Sequence, residues 1–568
     1  MLSTDMLSGN TITAATVVLA LLTLRMGWAF YRRTVVKIPI RNLPGPARTS
    51  WRRGNLGELY SPAGMSWHHQ LPRQFGGLVK IHALFGVNPV SCCALSDENV
   101  YVTDPLALNQ VCVKDQDIFE QTTTFVQGNG VIFGDGLLST TGAHHRNQRR
   151  IINPVFGTSH MRDITPAIYE VVHKLTDLLK KRTQNGASRQ DMLDLMMRTA
   201  LEGIGQGGLG HSFNALEDDD GRNEFRDALR GLIPAIFSLA IERQFLPYIL
   251  KIGTPSFRGW LVNITPSRRL HRLRDIVNTM YKVNSAVFES KKEAIKRGDE
   301  KVLDQVGHGR DIVSILMRGM ESAESDEDKL SDSEVLAQLT TLVFTSHDTT
   351  SSTLAHILHL LCTHQDIQTR LRNEIRKAKD EWEKEHGNRD LGYDLLSELP
   401  YLEAVCRETL RLHAAVTFMT RTARAPAVLP LLWPVMGTDG KMITEVPIAE
   451  NQNIHIGIGA ANRDPRIWGP DADEWKPERW ENGVPKLAMD AHLPSIYAGT
   501  MSFLGGGRAC IGMKFAQLEM KVILSMLLDE FKVSLSKDEV TWKLANIQMP
   551  WVKGFDKGPS MPLMVERV

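Results

Sequence analysis

The chain has 568 residues, 42% of them hydrophobic, enough to bury one large core or two smaller ones. Its charge is almost balanced, 66 Lys and Arg against 65 Asp and Glu, which gives no support for a nucleic acid or another polyanion as partner. The six cysteines (Cys92, Cys93, Cys112, Cys362, Cys406 and Cys510) include no CxxC pair, so neither a disulfide framework nor a zinc site is indicated.

The N-terminus stands apart. Between Leu7 and Tyr31, "LSGNTITAATVVLALLTLRMGWAFY" is an apolar run whose single charge, Arg25, lies near its end. A bilayer crossing needs about 20 such residues. Arg32, Arg33, Lys37 and Arg41 follow the run, while only Asp5 precedes it, so the positive-inside rule leaves the rest of the chain in the cytosol. A cleaved signal peptide would carry basic residues before the apolar run, and there are none. The expectation is a membrane anchor with a basic linker over 1–41, and one folded domain over 42–568 that begins at the stiff turn "LPGP".

Two β-like stretches come next, "GLVKIHALFG" and "NVYVTDPLAL". From about residue 142 to about 425 the pattern is helical. The acidic run from Glu321 to Glu334 reads as a solvated loop whose end starts a helix, with Ser331 as N-cap and Glu334 three residues on. Val335 to Leu361 then runs without Gly or Pro, about seven turns. Its ends are apolar, but hydroxyls crowd its middle around His347 and Asp348, where Ser and Thr can bond to i−4 carbonyls and loosen the helix. Residues 425 to 500, rich in Pro, Gly and Trp, read as irregular. Nothing beyond residue 45 marks a second domain boundary.

"FLGGGRACIG", Phe503 to Gly512, presents one thiol just ahead of a helix marked by Ile511, Phe515, Leu518, Val522 and Met526. Helix N-terminal N–H groups favour a thiolate there. Gly505, Gly506 and Gly507 let the backbone fold close under something flat, and Arg508 adds a cation. Such a set suits an iron porphyrin held by one axial sulfur. The other five cysteines read as small buried hydrophobes.

Phe503-x-x-Gly506-x-Arg508-x-Cys510-x-Gly512 matches every fixed position of the haem-binding signature of the cytochrome P450 family, and from about Leu43 onward the chain resembles that family, with its motifs in order. The resemblance implies a mainly α fold with a smaller β-containing lobe, and haem b between a long central helix and the Cys510 loop. It makes Cys510 the axial ligand and Phe503 and Arg508 haem neighbours. Glu408, Arg411 and Arg479 ("ETLR" and "WKPERW") become a structural network, with Trp480 where Phe is common. In "GAHHRNQRR", His145 and Arg149 stand at the two positions of a propionate-binding Trp-x-x-x-Arg; Arg421 is a further propionate ligand, ahead of Arg424. Asp348 and Thr349 match the acid–alcohol pair that delivers protons to oxygen, although Thr345 and Ser346 replace the usual small residues before it. His347 is read as packed or hydrogen-bonded rather than as a ligand.

The activity implied is a monooxygenase that inserts one atom of O2 into an organic substrate, with electrons from NADPH through a membrane-bound flavoprotein reductase, in the endoplasmic reticulum membrane. Arg146, Arg150 and Lys514 are candidate docking cations. Apolar candidate pocket walls (Phe125 to Phe133, Leu342, Val343, Val416 to Met419 and Trp551) suit a lipophilic substrate such as a terpenoid, polyketide or fatty acid. Two other classes compete: a haem-thiolate isomerase or dehydratase, and a haem sensor or electron carrier. The acid–alcohol pair speaks against both.

Overall fold

The computed structural model describes Thr16, Ala20, Thr23 and residues 39–83, 98–217, 223–297, 311–321, 329–545, 547–555 and 558–568. The expected anchor, apart from those first three positions, lies outside the described residues, as do Cys92 and Cys93. Among the described residues no single helix is long and apolar enough to cross a membrane.

The architecture is mainly α with several small sheets. Five helices frame the site: α1 (Thr123–Phe133), α2 (Gly142–Ile152), α3 (Asp332–Thr363), α4 (Pro400–Leu412) and α5 (Met513–Glu530). The capping box at the start of α3 forms as the sequence indicates: the Ser331 hydroxyl accepts from the Glu334 N–H, and the Glu334 carboxylate accepts from the Ser331 N–H. Most of α3 is buried all round, as a helix through a core must be. It packs against the helix Met192–Gly203, the helix Arg268–Arg297 and α5.

The main sheet is built from β1 (Leu78–His82), β2 (Glu98–Val102), β3 (Phe119–Gln121), β4 (Met419–Ala423) and β5 (Asn453–Ile456), in the order β1-β2-β5-β4-β3. Only β2 and β5 run parallel. A hairpin of β6 (Val540–Ala545) and β7 (Ile547–Val552) reaches back to the core, where Gln548 donates to the carbonyls of Ala414 and Ala415 and its own carbonyl accepts from the Ser352 hydroxyl.

Two stretches differ from their sequence reading. The second half of "NVYVTDPLAL" is helical over Pro105–Asn109, because Asp104 accepts from the N–H groups of Leu106 and Ala107 and Pro105 occupies the first turn. Residues 425 to 500 are not simply irregular: Ala427–Met436 and Met442–Ile448 pair as antiparallel strands across a bulge, which leaves room for the prolines.

Candidate active site

The Cys510 loop is held by protein on every side. A Cβ on Gly506, at φ 75°, would lie 1.9 Å from the Cys112 carbonyl oxygen, and one on Gly505 would lie 2.6 Å from Pro494. The Gly507 N–H donates to Gln116 Oε1 at 2.6 Å. The glycines therefore serve close approach to neighbouring backbone, and the Gly507 N–H is not aimed at the sulfur. The Gly512 N–H and the charge of Arg149 both favour the thiolate. Burial outweighs both and pushes the Cys510 pKa up. Yet the residue keeps a large accessible surface. Desolvation together with accessibility means that the sulfur faces a concave internal cleft.

Around that cleft the chain gathers cations. Burial is the first cause that lowers the pKa values of Arg149 on α2, Arg421 on β4 and Arg508 in the loop. Arg508 repels both of the others. His145 is buried, and its pKa is pushed down to about 3 by desolvation and by Arg508, Arg149, Arg146 and Arg421; at neutral pH it is an uncharged ring. Arg508 pairs with Glu120 on β3 at 2.7 Å, and Arg421 donates to Gln121 Oε1 at 3.0 Å. Arg149 has no hydrogen-bond or ion-pair partner among the described residues. Phe503 packs edge-on against Tyr497, with ring centroids 5.4 Å apart. Five of the expected residues (His145, Arg149, Arg421, Arg508 and Cys510) thus feel one another's charge, and the set carries more positive than negative charge.

Behind the loop, Glu408 and Arg411 of α4 are fully buried and doubly bonded, at 2.8 Å each. Arg479 and the Lys476 N–H also donate to Glu408. Trp480 explains its own departure from the usual Phe: its indole N–H donates to Glu408 Oε2 at 3.0 Å.

On α3, Phe344, Thr345, Ser346 and Thr349 are partly accessible within an otherwise buried stretch, so they form one open face. Phe344 stacks on Phe133 of α1 at 4.7 Å. The Thr349 hydroxyl donates to the Thr345 carbonyl at 2.7 Å, and Thr345 does the same to Thr341 at 2.8 Å. Asp348 turns away from that face. It lies buried with Oδ1 2.7 Å from His347 Nδ1, while its Oδ2 and His347 Nε2 have no hydrogen-bond partner among the described residues.

A family model for cytochrome P450 matches residues 85–550. The chain is 45% identical over 94% of its length to cytochrome P450 monooxygenase 91 of Postia placenta, covering 95% of that protein. It is 40% identical to cytochrome P450 monooxygenase 212 of the same organism, over 92% of this chain and 93% of that one. With the ganoderic acid synthetase CYP5150L8 of Ganoderma lucidum it shares 36% identity, over 95% of this chain and 96% of that one. The chain belongs to the cytochrome P450 family.

It is a cytochrome P450 monooxygenase, and the family implies a haem with a thiolate ligand, O2 and an electron donor. The residues present fit that group. A desolvated thiol beside Gly512 and Arg149 ionises when a metal cation meets it, and an unpaired guanidinium in a cation-rich cluster asks for carboxylates.

Several residues of this P450 were not singled out from sequence. Glu120 is the counter-charge of Arg508. Glu519 of α5 is buried beside the Thr350 hydroxyl, and burial raises its pKa well above the ordinary value. An acid on the apolar stripe of Phe515, Leu518 and Val522 was the signal available for it. Arg243, discussed below, left no local signal.

Proposed function

We propose that Cys510 is the axial ligand of a haem b and that the protein inserts one atom of O2 into a lipophilic organic substrate by hydroxylation or epoxidation, in fungal secondary metabolism such as terpenoid or polyketide tailoring. The observation that carries this reading is the desolvated yet accessible sulfur of Cys510 beside the unpaired guanidinium of Arg149. When bound, haem supplies oxygen activation with two electrons from NADPH through a flavoprotein reductase.

The chain's own residues do the rest. Arg149, Arg421 and Arg508 hold the propionates, and neutral His145 donates or accepts without adding charge. Phe503 packs beside the loop. Thr349, freed from the Thr345 carbonyl by a χ1 rotation, presents its hydroxyl to the open face of α3 and holds a proton there. Asp348 supplies that proton, steadied by His347. The apolar run before Arg41 anchors the protein in the endoplasmic reticulum membrane, where Arg146, Arg150 and Lys514 help to dock the reductase. The substrate class draws support from the apolar residues that the sequence offers as candidate pocket walls, and the fungal relatives support the metabolic setting.

The reduced, CO-bound protein is expected to show the red-shifted Soret band of thiolate ligation, and Cys510→Ser to lose it together with turnover. Retention of that band in the Ser variant would refute the assignment. Consumption of NADPH and O2 with candidate scaffolds separates a monooxygenase from an isomerase or a sensor, and the product profile of a host expressing the chain with a reductase names the substrate. Removal of residues 1–41 is expected to release most of the protein from membranes with haem retained.

A further inference from the structure

Eight arginines have pKa values lowered first by burial: Arg149, Arg198, Arg243, Arg372, Arg421, Arg424, Arg463 and Arg508. Six of them have a carboxylate, carbonyl or amide partner. Arg149 and Arg243 have none among the described residues. A desolvated guanidinium without a counter-group is costly, so proteins retain one where something else completes it. At Arg149 the completing group is the haem carboxylate proposed above. Arg243 has the same features at a different place.

Arg243 lies in the 3-10 turn Glu242–Phe245, just after the helix Glu224–Ser238. Its guanidinium rests on the backbone of Gly128, halfway along α1: a Cβ there would lie 2.5 Å from Nη2 and 3.3 Å from Cζ. Gly128 is five residues before Phe133, about 7.5 Å along the helix axis, and Phe133 stacks on Phe344 beside Thr345 and Thr349. The one titratable group that Arg243 feels is the Tyr60 hydroxyl. Tyr60 in turn packs against Phe418 at 5.7 Å and Phe237 at 6.4 Å. One cation therefore rests on α1, within electrostatic reach of the Tyr60 hydroxyl, and α1 carries Phe133 to the open face of α3.

We propose that Arg243 binds a carboxylate carried by the substrate, so that the preferred substrates are lipophilic acids whose apolar body extends from Arg243 towards α3. The proposal rests on the monooxygenase reading of that face. Planar guanidinium and planar carboxylate match in geometry, and the low-dielectric surroundings strengthen the pair.

The test uses the full-length holoprotein in detergent and two probe pairs, palmitic acid with methyl palmitate and oleanolic acid with its methyl ester. Binding is read by spectral titration and, independently, by thermal shift. At least one acid is expected to bind about tenfold or more tightly than its ester, the size of one charge-assisted hydrogen bond. Arg243→Gln should bring that ratio close to one and leave ester binding unchanged. Gly128→Ala is the second variant: it keeps the charge and the helix, but its Cβ displaces the guanidinium, so the acid preference should fall there too. Equal binding of acid and ester in both pairs, no binding of either acid, or an unchanged ratio in Arg243→Gln would overturn the proposal. Retention of the thiolate CO band in Cys510→Ser would instead overturn the reading on which it rests, whatever the acid-to-ester ratio.

Discussion

The network behind the Cys510 loop and the middle of α3 treat buried polar groups in opposite ways. Behind the Cys510 loop, both Arg411 and Arg479 use their donors on Glu408 and on the carbonyls or carboxylates of Asn462, Ala472, Glu474, Trp468 and Asp471. On and against α3, Asp348 Oδ2 and His347 Nε2 have no hydrogen-bond partner among the described residues, and Glu519 has only the Thr350 hydroxyl beside it. A fully satisfied buried network rigidifies and specifies a structure; an incompletely satisfied one marks water, ligand or proton traffic. The contrast is between a closed, fully bonded network and a stretch that keeps unsatisfied polar groups.

The largest expected effect breaks the satisfied side. Glu408→Ala leaves Arg411 charged and buried without its carboxylate and strips Arg479 of one of its two, Asp471 remaining, at a cost of about 3–5 kcal/mol. Loss of soluble folded holoprotein, or a large fall in the midpoint of urea unfolding, is the expected result. A variant with wild-type stability would show that the network is dispensable and would remove the contrast.

The second effect runs the other way and sharpens the open side. Burial raises the Glu519 pKa above its ordinary value, so the folded state holds a proton that the unfolded state releases. Stability contributed by that proton is present at pH values below the ordinary glutamate range and is lost as pH rises towards the folded pKa. Glu519→Gln, neutral at every pH, should therefore melt higher than wild type, with the advantage growing from pH 5 to pH 8. An advantage that shrinks with rising pH would mean that Glu519 is ionised and paired.

Much of the satisfied side was legible in sequence because it is written at fixed spacing. Glu408 and Arg411 are three residues apart, and the loop motif is contiguous around Cys510. The α3 capping box is local as well. On α3 the sequence singles out only what is local, the hydroxyl-rich stretch around Asp348 and Thr349. Glu519 meets Gly203, a Cβ on which would lie 2.4 Å from its carboxylate, and Arg243 meets Gly128; both pairs are made by tertiary folding across more than a hundred residues. The role of the glycines beside Cys510 escaped for the same reason, since their neighbours Cys112 and Gln116 come from far upstream.

Trp480→Phe gives the third and smaller effect. It restores the residue common in the family and removes one donor from Glu408 Oε2, which keeps Arg411 as a partner. The loss should be about 1 kcal/mol, seen as a small drop in the unfolding midpoint with the CO-bound spectrum unchanged. No loss at all would mean that the indole contributes packing alone.

The smallest effect on stability is expected where the effect on chemistry is clearest. Thr345 and Thr349 lie one turn apart on the open face, and each donates to a carbonyl that already accepts within the helix. Their removal costs little, because Ala is the better helix former and leaves no buried donor unpaired. Thr345→Ala/Thr349→Ala should therefore keep the wild-type melting temperature and the CO-bound spectrum. If the hydroxyls hold a proton for oxygen activation, the same variant should divert NADPH-derived electrons into hydrogen peroxide. Asp348→Asn should slow turnover, because the proton supply is impaired while the hydroxyls remain. Peroxide formed per NADPH consumed is the deciding quantity. If it is unchanged in the double variant, the hydroxyls are helix furniture like those of Ser346 and Thr353, and the open side owes its chemistry to Asp348 and water.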